Sequence, residues 1–280
     1  MKQNDLSRLA GAPDSDGRMP VLFVGHGSPM NAIEDNEFSR TWGELGKKLP
    51  RPRVILCISA HWETEGTRVT SMEKPRTIHD FGGFPRALFE VEYPAPGSAW
   101  LARQIPVEPD EEWGLDHGCW SILRQMYPGA DVPVVQLSLD YRKSPRDHYA
   151  LARELAPLRQ KGVLIIGSGN LVHNLRLVQI RGASASDFNT PFGFDWAIEA
   201  NDQFKKLINE QRHDELMGYQ SLGRAVQLAV PTAEHYLPML YAIALQQDDE
   251  SITWFNDKAL AGSLTMTSLM IDKSAQGRQE

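Results

Sequence analysis

Four short apolar runs constrain this chain more than any other feature: PVLFVG (20–25), RVILCISA (53–60), VPVVQLSL (132–139) and GVLIIGSG (162–169). Each is rich in β-branched residues and lacks strict polar alternation, the pattern of strands covered on both faces. Segments with apolar spacing of three to four residues lie between and after them, over 36–49, 144–161, 194–211 and 233–246. Ser144 and Pro145 open the second as cap and first-turn residue, and Pro238 predicts a kink or a later start in the fourth. Strands alternating with helices predict an α/β fold: a single three-layer domain with a central, mostly parallel sheet and helices on both faces. The alternating stretch 262–271 reads as one further strand, at a sheet edge. The chain carries no internal repeat, low-complexity tract or linker that would divide it. The expected organisation is a polar N-terminal arm over 1–18 and one domain over 19–280. The segment 64–118, rich in Gly, Pro and aromatic residues, reads as a lid or pocket wall draped over that domain.

The 280 residues carry a net charge of −7 with a pI near 5.7, and Lys and Arg are scattered, so no basic face for nucleic acid is expected. No stretch approaches the roughly 18 apolar residues of a membrane span, and the first twenty residues lack the apolar core of a secretory signal. Cys57 sits inside an apolar run and Cys119 follows DHG; two isolated cysteines read as reduced thiols and point to a cytoplasmic location.

Histidine placement is uneven among the eight. His26 lies between two glycines directly after the first strand, His61 follows the second, and His173 lies four residues past the fourth. The ends of parallel strands in an open α/β sheet share one edge, where ligands bind. Several imidazoles on that edge would form a nitrogen-rich site for a divalent metal. A single such histidine is more often a hydrogen-bonding loop residue than a ligand; three strand ends together favour the metal. His235 begins a late helix, and His117, with Gly118 beside it, precedes another. His79 lies on the draped segment, with pocket and structural roles both open. His148 and His213 fall in polar helical stretches and read as surface residues. Asp116, Glu234 and Asn174, each adjacent to a histidine, are candidates to orient a ligating ring. A dinucleotide glycine loop, a phosphate loop, HExxH and a paired CxxC are all missing.

The motifs GHGSPMN, SAHW, IHDFGGFP, YPAPG, DHGCW, VQLS, GSGNLVHNLR and TAEHYLPMLY, in this order, resemble the 4,5-DOPA extradiol dioxygenase family, a group within the class III extradiol ring-cleaving dioxygenases related to the protocatechuate 4,5-dioxygenase catalytic subunit. The resemblance spans about residues 19 to 271. It implies that 19–280 is a catalytic domain with a mononuclear metal held by His26, His61 and His235, with Glu234 as the alternative third ligand. It further implies that His173 is the acid/base beside the metal, or itself reaches it, and that His117 contacts substrate. Between YPAPG and DHG this chain is shorter than the family pattern, over 98–113.

Such a family member inserts O2 into a catechol such as DOPA with Fe(II). Three protein ligands leave positions open for catechol and O2, and histidines with an unperturbed pKa of about 6.5 suit the proton transfers. His173 and His117 are thus the expected catalytic groups, with His117 and His79 binding substrate. Phe81, Phe84 and Tyr93 are candidates to wall the ring off from water, with ordinary core packing the alternative and the favoured reading for Phe84. Zn(II) outranks Fe(II) for such donors and is an expected occupant of purified protein. A zinc-dependent hydrolase and a non-enzymatic metal-binding protein on the same scaffold are the alternatives. A monomer and a homodimer both fit the sequence.

Overall fold

A computed structural model describes residues 17–180 and 188–273. Most of the expected N-terminal arm lies outside the described residues; Arg18, at its end, pairs with Asp249 and, at 3.4 Å, with Glu250.

The strands are β1 (Val21–Gly25), β2 (Val54–Thr64), β3 (Arg68–Thr70), β4 (Glu108–Asp110), β5 (Val134–Asp140), β6 (Val163–Gly169), β7 (Glu250–Phe255), β8 (Ala259–Leu260), β9 (Leu264–Thr265) and β10 (Ser268–Lys273). Eight of them form one sheet in the order β4-β3-β5-β2-β6-β1-β10-β7. The four predicted strands, β1, β2, β5 and β6, are its centre and run parallel to one another: Val21 pairs with Ile165, Val54 with Val163, and Ile55 with Val134. β10 and β7 extend it antiparallel beyond β1. The C-terminal strand is therefore internal, and the edge belongs to β7, whose alternation is too weak to read in sequence.

Alternate residues of the central strands feed two cores. Leu22, Val24, Ile55, Cys57, Leu164 and Ile166 face helices α1 (Glu37–Lys48) and α2 (His117–Met126), where Phe38, Trp42, Trp120 and Leu123 are buried. Val21, Phe23, Leu56, Ile58, Val163 and Ile165 face α3 (Pro145–Glu154), α4 (Asp195–Asn209) and α5 (Leu237–Ile243), where Ala152, Phe204 and Leu240 are buried. These are the three layers the strand pattern predicts.

Proline sets the bounds of two helices, the first against expectation and the second as Pro238 predicts. The run 144–161 breaks at Leu155, where a second short helix starts with Pro157 in its first turn. The run 233–246 begins only at Leu237, again with proline in the first turn, so His235 sits in the turn before α5. Over 98–113 the chain forms a helix of four residues, Ala99–Ala102, and the three-residue β4. No described helix is long and apolar enough to cross a membrane. Cys57 and Cys119 are both buried and free.

Candidate metal centre

The C-terminal ends of β1, β2 and β6 lie together, and each delivers a side chain. His26 follows β1, and its backbone N–H bonds to the Gly169 carbonyl at the end of β6. His61 does not follow its strand, as expected, but lies inside β2. The register of β2 against β5 passes from Ile58↔Leu137 to Glu63↔Leu139, so Ser59, Ala60, His61 and Trp62 stand opposite Ser138 alone. This bulge re-aims His61 toward the centre. His235 arrives from the turn before α5, whose backbone lies on β6. A Cβ at Gly169 would stand 2.1 Å from the His235 carbonyl oxygen, so glycine is what admits the turn. His173 is held through backbone contacts with Ala229 and Leu264. His117 is the first residue of α2, behind its cap Asp116.

His26, His61 and His235 offer ring nitrogens all within 4.8 Å of one another. Hydrogen bonds fix two of the tautomers. His26 Nδ1 lies 3.0 Å from Ser168 Oγ, and that hydroxyl donates its one proton to the Gly118 carbonyl at 2.6 Å. Ser168 can therefore only accept from Nδ1–H, which leaves His26 Nε2 bare. His235 Nδ1–H donates to Glu234 Oε1 at 3.1 Å, so that ring also presents a bare Nε2. His61 Nδ1 stands in close contact with Asp80 Oδ2 at 3.3 Å.

Burial keeps the rings neutral. It pushes His26 and His235 well below the ordinary imidazole range, with the neighbouring imidazoles adding to the effect. Burial, with His117 next, takes His61 down to about 3. The Nε2 atoms of His26 and His61 stand 3.1 Å apart. With His26 Nε2 bare, a proton on His61 Nε2 bridges the two nitrogens at that distance, and a cation held between them would take its place. This donor set of three neutral imidazoles fits a divalent transition metal.

His173 stacks on His235, centroids 3.5 Å apart and planes 8° from parallel. Stacked rings aim their nitrogens side by side rather than at one point, and His173 groups with Glu234 and His235, outside the three-nitrogen cluster. Burial takes it down to about 4. His117 lies 3.9 Å from His61, centroid to centroid, and Phe81 meets its edge at 5.5 Å. Asp80 holds His117 Nδ1 at 2.9 Å. Burial opposes the charge of Asp80, yet the bond from His117 and the imidazoles beside it bring its carboxyl below the usual range.

His79 sits one ring further out. Its Nε2–H donates to the Val91 carbonyl at 2.9 Å, and its ring packs among Phe81, Phe89 and Trp120. Phe81 is backed by Phe84 at 5.4 Å. Tyr93 is not part of this wall: it is 1% exposed and its hydroxyl donates to the Tyr127 carbonyl in the core.

Glu234 orients a histidine as its sequence position predicts, but Asn174 does not; its side chain donates to the Leu228 carbonyl. Asp116 acts one step back. Burial pushes its carboxyl up, while Ser59, two residues before His61, and Gln136 donate to it. The surface reading of His148 fails: it is fully buried, its Nε2–H donating to the Asp140 carbonyl and its Nδ1 accepting from the Tyr241 hydroxyl. His213 is half-buried, with Nδ1 2.7 Å from the Tyr149 hydroxyl. Both helices turn the histidine face inward, and polar neighbours mask this in sequence. Asp80 and Ser168 are the residues that sequence reading missed. The one signal was Asp80's place in IHDFGGFP, directly after His79.

A family model described as the catalytic LigB subunit of aromatic ring-opening dioxygenase matches residues 20–260. The chain is 47% identical over 268 residues to the 4,5-DOPA dioxygenase extradiol of Escherichia coli (strain K12), across 92% of this chain and 96% of that protein. It is 37% identical over 244 residues to the 4,5-DOPA dioxygenase extradiol of Beta vulgaris, across 81% of this chain and 87% of that protein. A crystal structure of an uncharacterized protein from Escherichia coli K12 superposes with a TM-score of 0.76 at 40% identity, covering 90% of this chain and 99% of that one.

Proposed function

Because this chain belongs to the family of the catalytic LigB subunit of aromatic ring-opening dioxygenases, we propose that it opens the ring of a catechol such as DOPA with a mononuclear non-haem Fe(II) held by His26, His61 and His235. It is a class III extradiol dioxygenase, and that membership displaces the hydrolase and non-enzymatic readings. The observation that carries the metal assignment is the convergence of three buried imidazole nitrogens within 4.8 Å of one another, two of them 3.1 Å apart. When bound, Fe(II) supplies a template for both catechol oxygens and O2 and a path for electrons between them.

The chain's own residues bind, orient and move protons. Phe81 forms the apolar side of the cleft beside His117, and Phe84 and His79 support it from behind. His79 thus contributes to substrate binding by shaping that wall. A flat ring resting there is shielded from water on one side. His117 and His173 flank the three-nitrogen cluster from opposite partners, His61 and His235. With its Nδ1 proton committed to Asp80, His117 Nε2 is free to accept a hydrogen bond or a proton from a catechol hydroxyl. His173 is neutral at working pH, as a base must be, and is our choice for the acid/base. Two free thiols accord with a cytoplasmic enzyme.

The test is anaerobic loading of the stripped protein with Fe(II) or with Zn(II), followed by catechol and air. Fe(II) is expected to give oxygen uptake and a yellow ring-opened product. Zn(II), which has no accessible redox change, is expected to bind without turnover. Equal oxygen consumption by the zinc-loaded protein refutes the iron assignment.

A further inference from the structure

Asp80 touches two of the rings at once. Its Oδ2 lies 3.3 Å from His61 Nδ1 and 2.9 Å from His117 Nδ1. Its Oδ1 accepts the backbone N–H of His117 at 2.9 Å, one of the unpaired donors at the start of α2. The carboxylate therefore accepts two N–H groups from His117 at the α2 N-terminus and stands in charge contact with His61 on the β2 bulge.

We propose that Asp80 is the positioning residue of this centre, setting the tautomers of His61 and His117. With its Nδ1 proton committed to Asp80, His117 keeps a bare Nε2 for a substrate proton, and the carboxylate 3.3 Å from His61 Nδ1 favours the His61 tautomer that turns a bare Nε2 to the metal. The inference rests on the metal site proposed above. Its chemical basis is that a carboxylate is acceptor-only and can serve both His117 donors while attracting a proton to His61 Nδ1. An amide cannot. If its oxygen replaces Oδ2, its NH2 faces the His117 N–H donor. If its oxygen replaces Oδ1, its NH2 faces the two imidazoles and drives their protons to Nε2, on the cleft side.

The experiment compares the full-length wild type with D80N, D80E and H26A. It measures Zn(II) affinity and stoichiometry by chelator competition, histidine tautomers by 15N NMR of the zinc-loaded protein, and turnover after Fe(II) loading. D80N is expected to bind Zn(II) roughly 10–100-fold more weakly, to show a cleft-side Nε2–H on His117, and to lose kcat more than it raises KM. D80E keeps both acceptor oxygens and is expected to lie closer to wild type in affinity and tautomers. D80N with wild-type affinity and tautomers overturns the role of Asp80. A second zinc ion that D80N loses also overturns it, because Asp80 would then be a ligand. If D80N does not fold, the wild-type spectrum decides: Nε2–H on His117 overturns the inference, and Nδ1–H on both rings supports it. A wild type that binds no zinc, or H26A that binds it equally well, instead overturns the metal site itself.

Discussion

His173 and His235 lie face to face, and that contact separates three roles for His173. As acid/base it should be dispensable for metal and needed for rate. His173→Ala is then expected to retain metal on His26, His61 and His235 while turnover per bound iron falls roughly 10²–10⁴-fold. As a fourth ligand, its loss would weaken metal binding and leave turnover per iron unchanged. As a purely structural residue, its loss would lower Tm alone. Metal content, Tm and turnover measured on one sample distinguish these, and normal turnover per iron removes the catalytic assignment. Residues at this scale were legible where they sit at strand ends or in motifs: His26, His173, His117 and His235 come together as read. Asp80 and Ser168 were not, because their importance lies in which nitrogen they face across the fold, and sequence adjacency carries no such information. Asn174 makes the same point in reverse, standing beside His173 in sequence and bonding elsewhere.

Elements position these rings through close backbone approach. The turn carrying His235 lies so near β6 that a Cβ on Gly169 would meet the His235 carbonyl oxygen at 2.1 Å. That same backbone accepts the Asn170 N–H at 2.8 Å, so the turn is fastened as well as close. Gly169→Ala must push the turn away from the sheet. It is expected to cost about 1–3 kcal/mol of stability, the usual range for overpacking, and to weaken metal binding in the molecules that still fold, because His235 moves relative to His26 and His61. Chemical denaturation gives the first quantity and chelator competition the second; unchanged metal affinity would show that His235 is not a ligand. The central strands were readable because burial on both faces leaves a continuous apolar signature. The bulge in β2 was not readable, since SAHW satisfies a strand pattern in any register and only the pairing with β5 exposes the extra residues. β7 escaped for a related reason: at the edge, its exposed residues break the apolar run that marks a strand.

Across the whole molecule, the price of gathering neutral imidazoles in a buried cluster is paid against acid. Burial lowers His26, His61, His173 and His235, with His61 near 3 and His173 near 4, whereas an unfolded imidazole titrates near 6.5. His148, also buried, shifts the same way. Above pH 6.5 neither state takes up these protons, and their contribution to stability is complete. As pH falls below 6.5 the unfolded chain binds protons that the folded chain refuses, so stability declines until the folded pKa values are reached. The slope approaches about 1.4 kcal/mol per pH unit for each such imidazole. Asp80, shifted down, adds a further loss only below its ordinary range near 3.8. The metal-free protein is therefore expected to lose Tm steadily from pH 6.5 toward 4, and a flat Tm over that interval would contradict the buried, neutral cluster. Metal affinity should behave differently. The folded site has already shed its protons at pH 5, so no proton needs to leave when a metal binds. Zn(II) affinity of the folded protein is expected to stay nearly constant from pH 7 to 5, whereas ligands of ordinary imidazole basicity would weaken across the same range. Chelator competition at half-unit steps, restricted to pH values where circular dichroism shows the apo protein folded, reads this directly. A tenfold or greater fall in affinity between pH 7 and 5.5 would mean that a ligating imidazole titrates in that window, which the burial of this cluster does not allow.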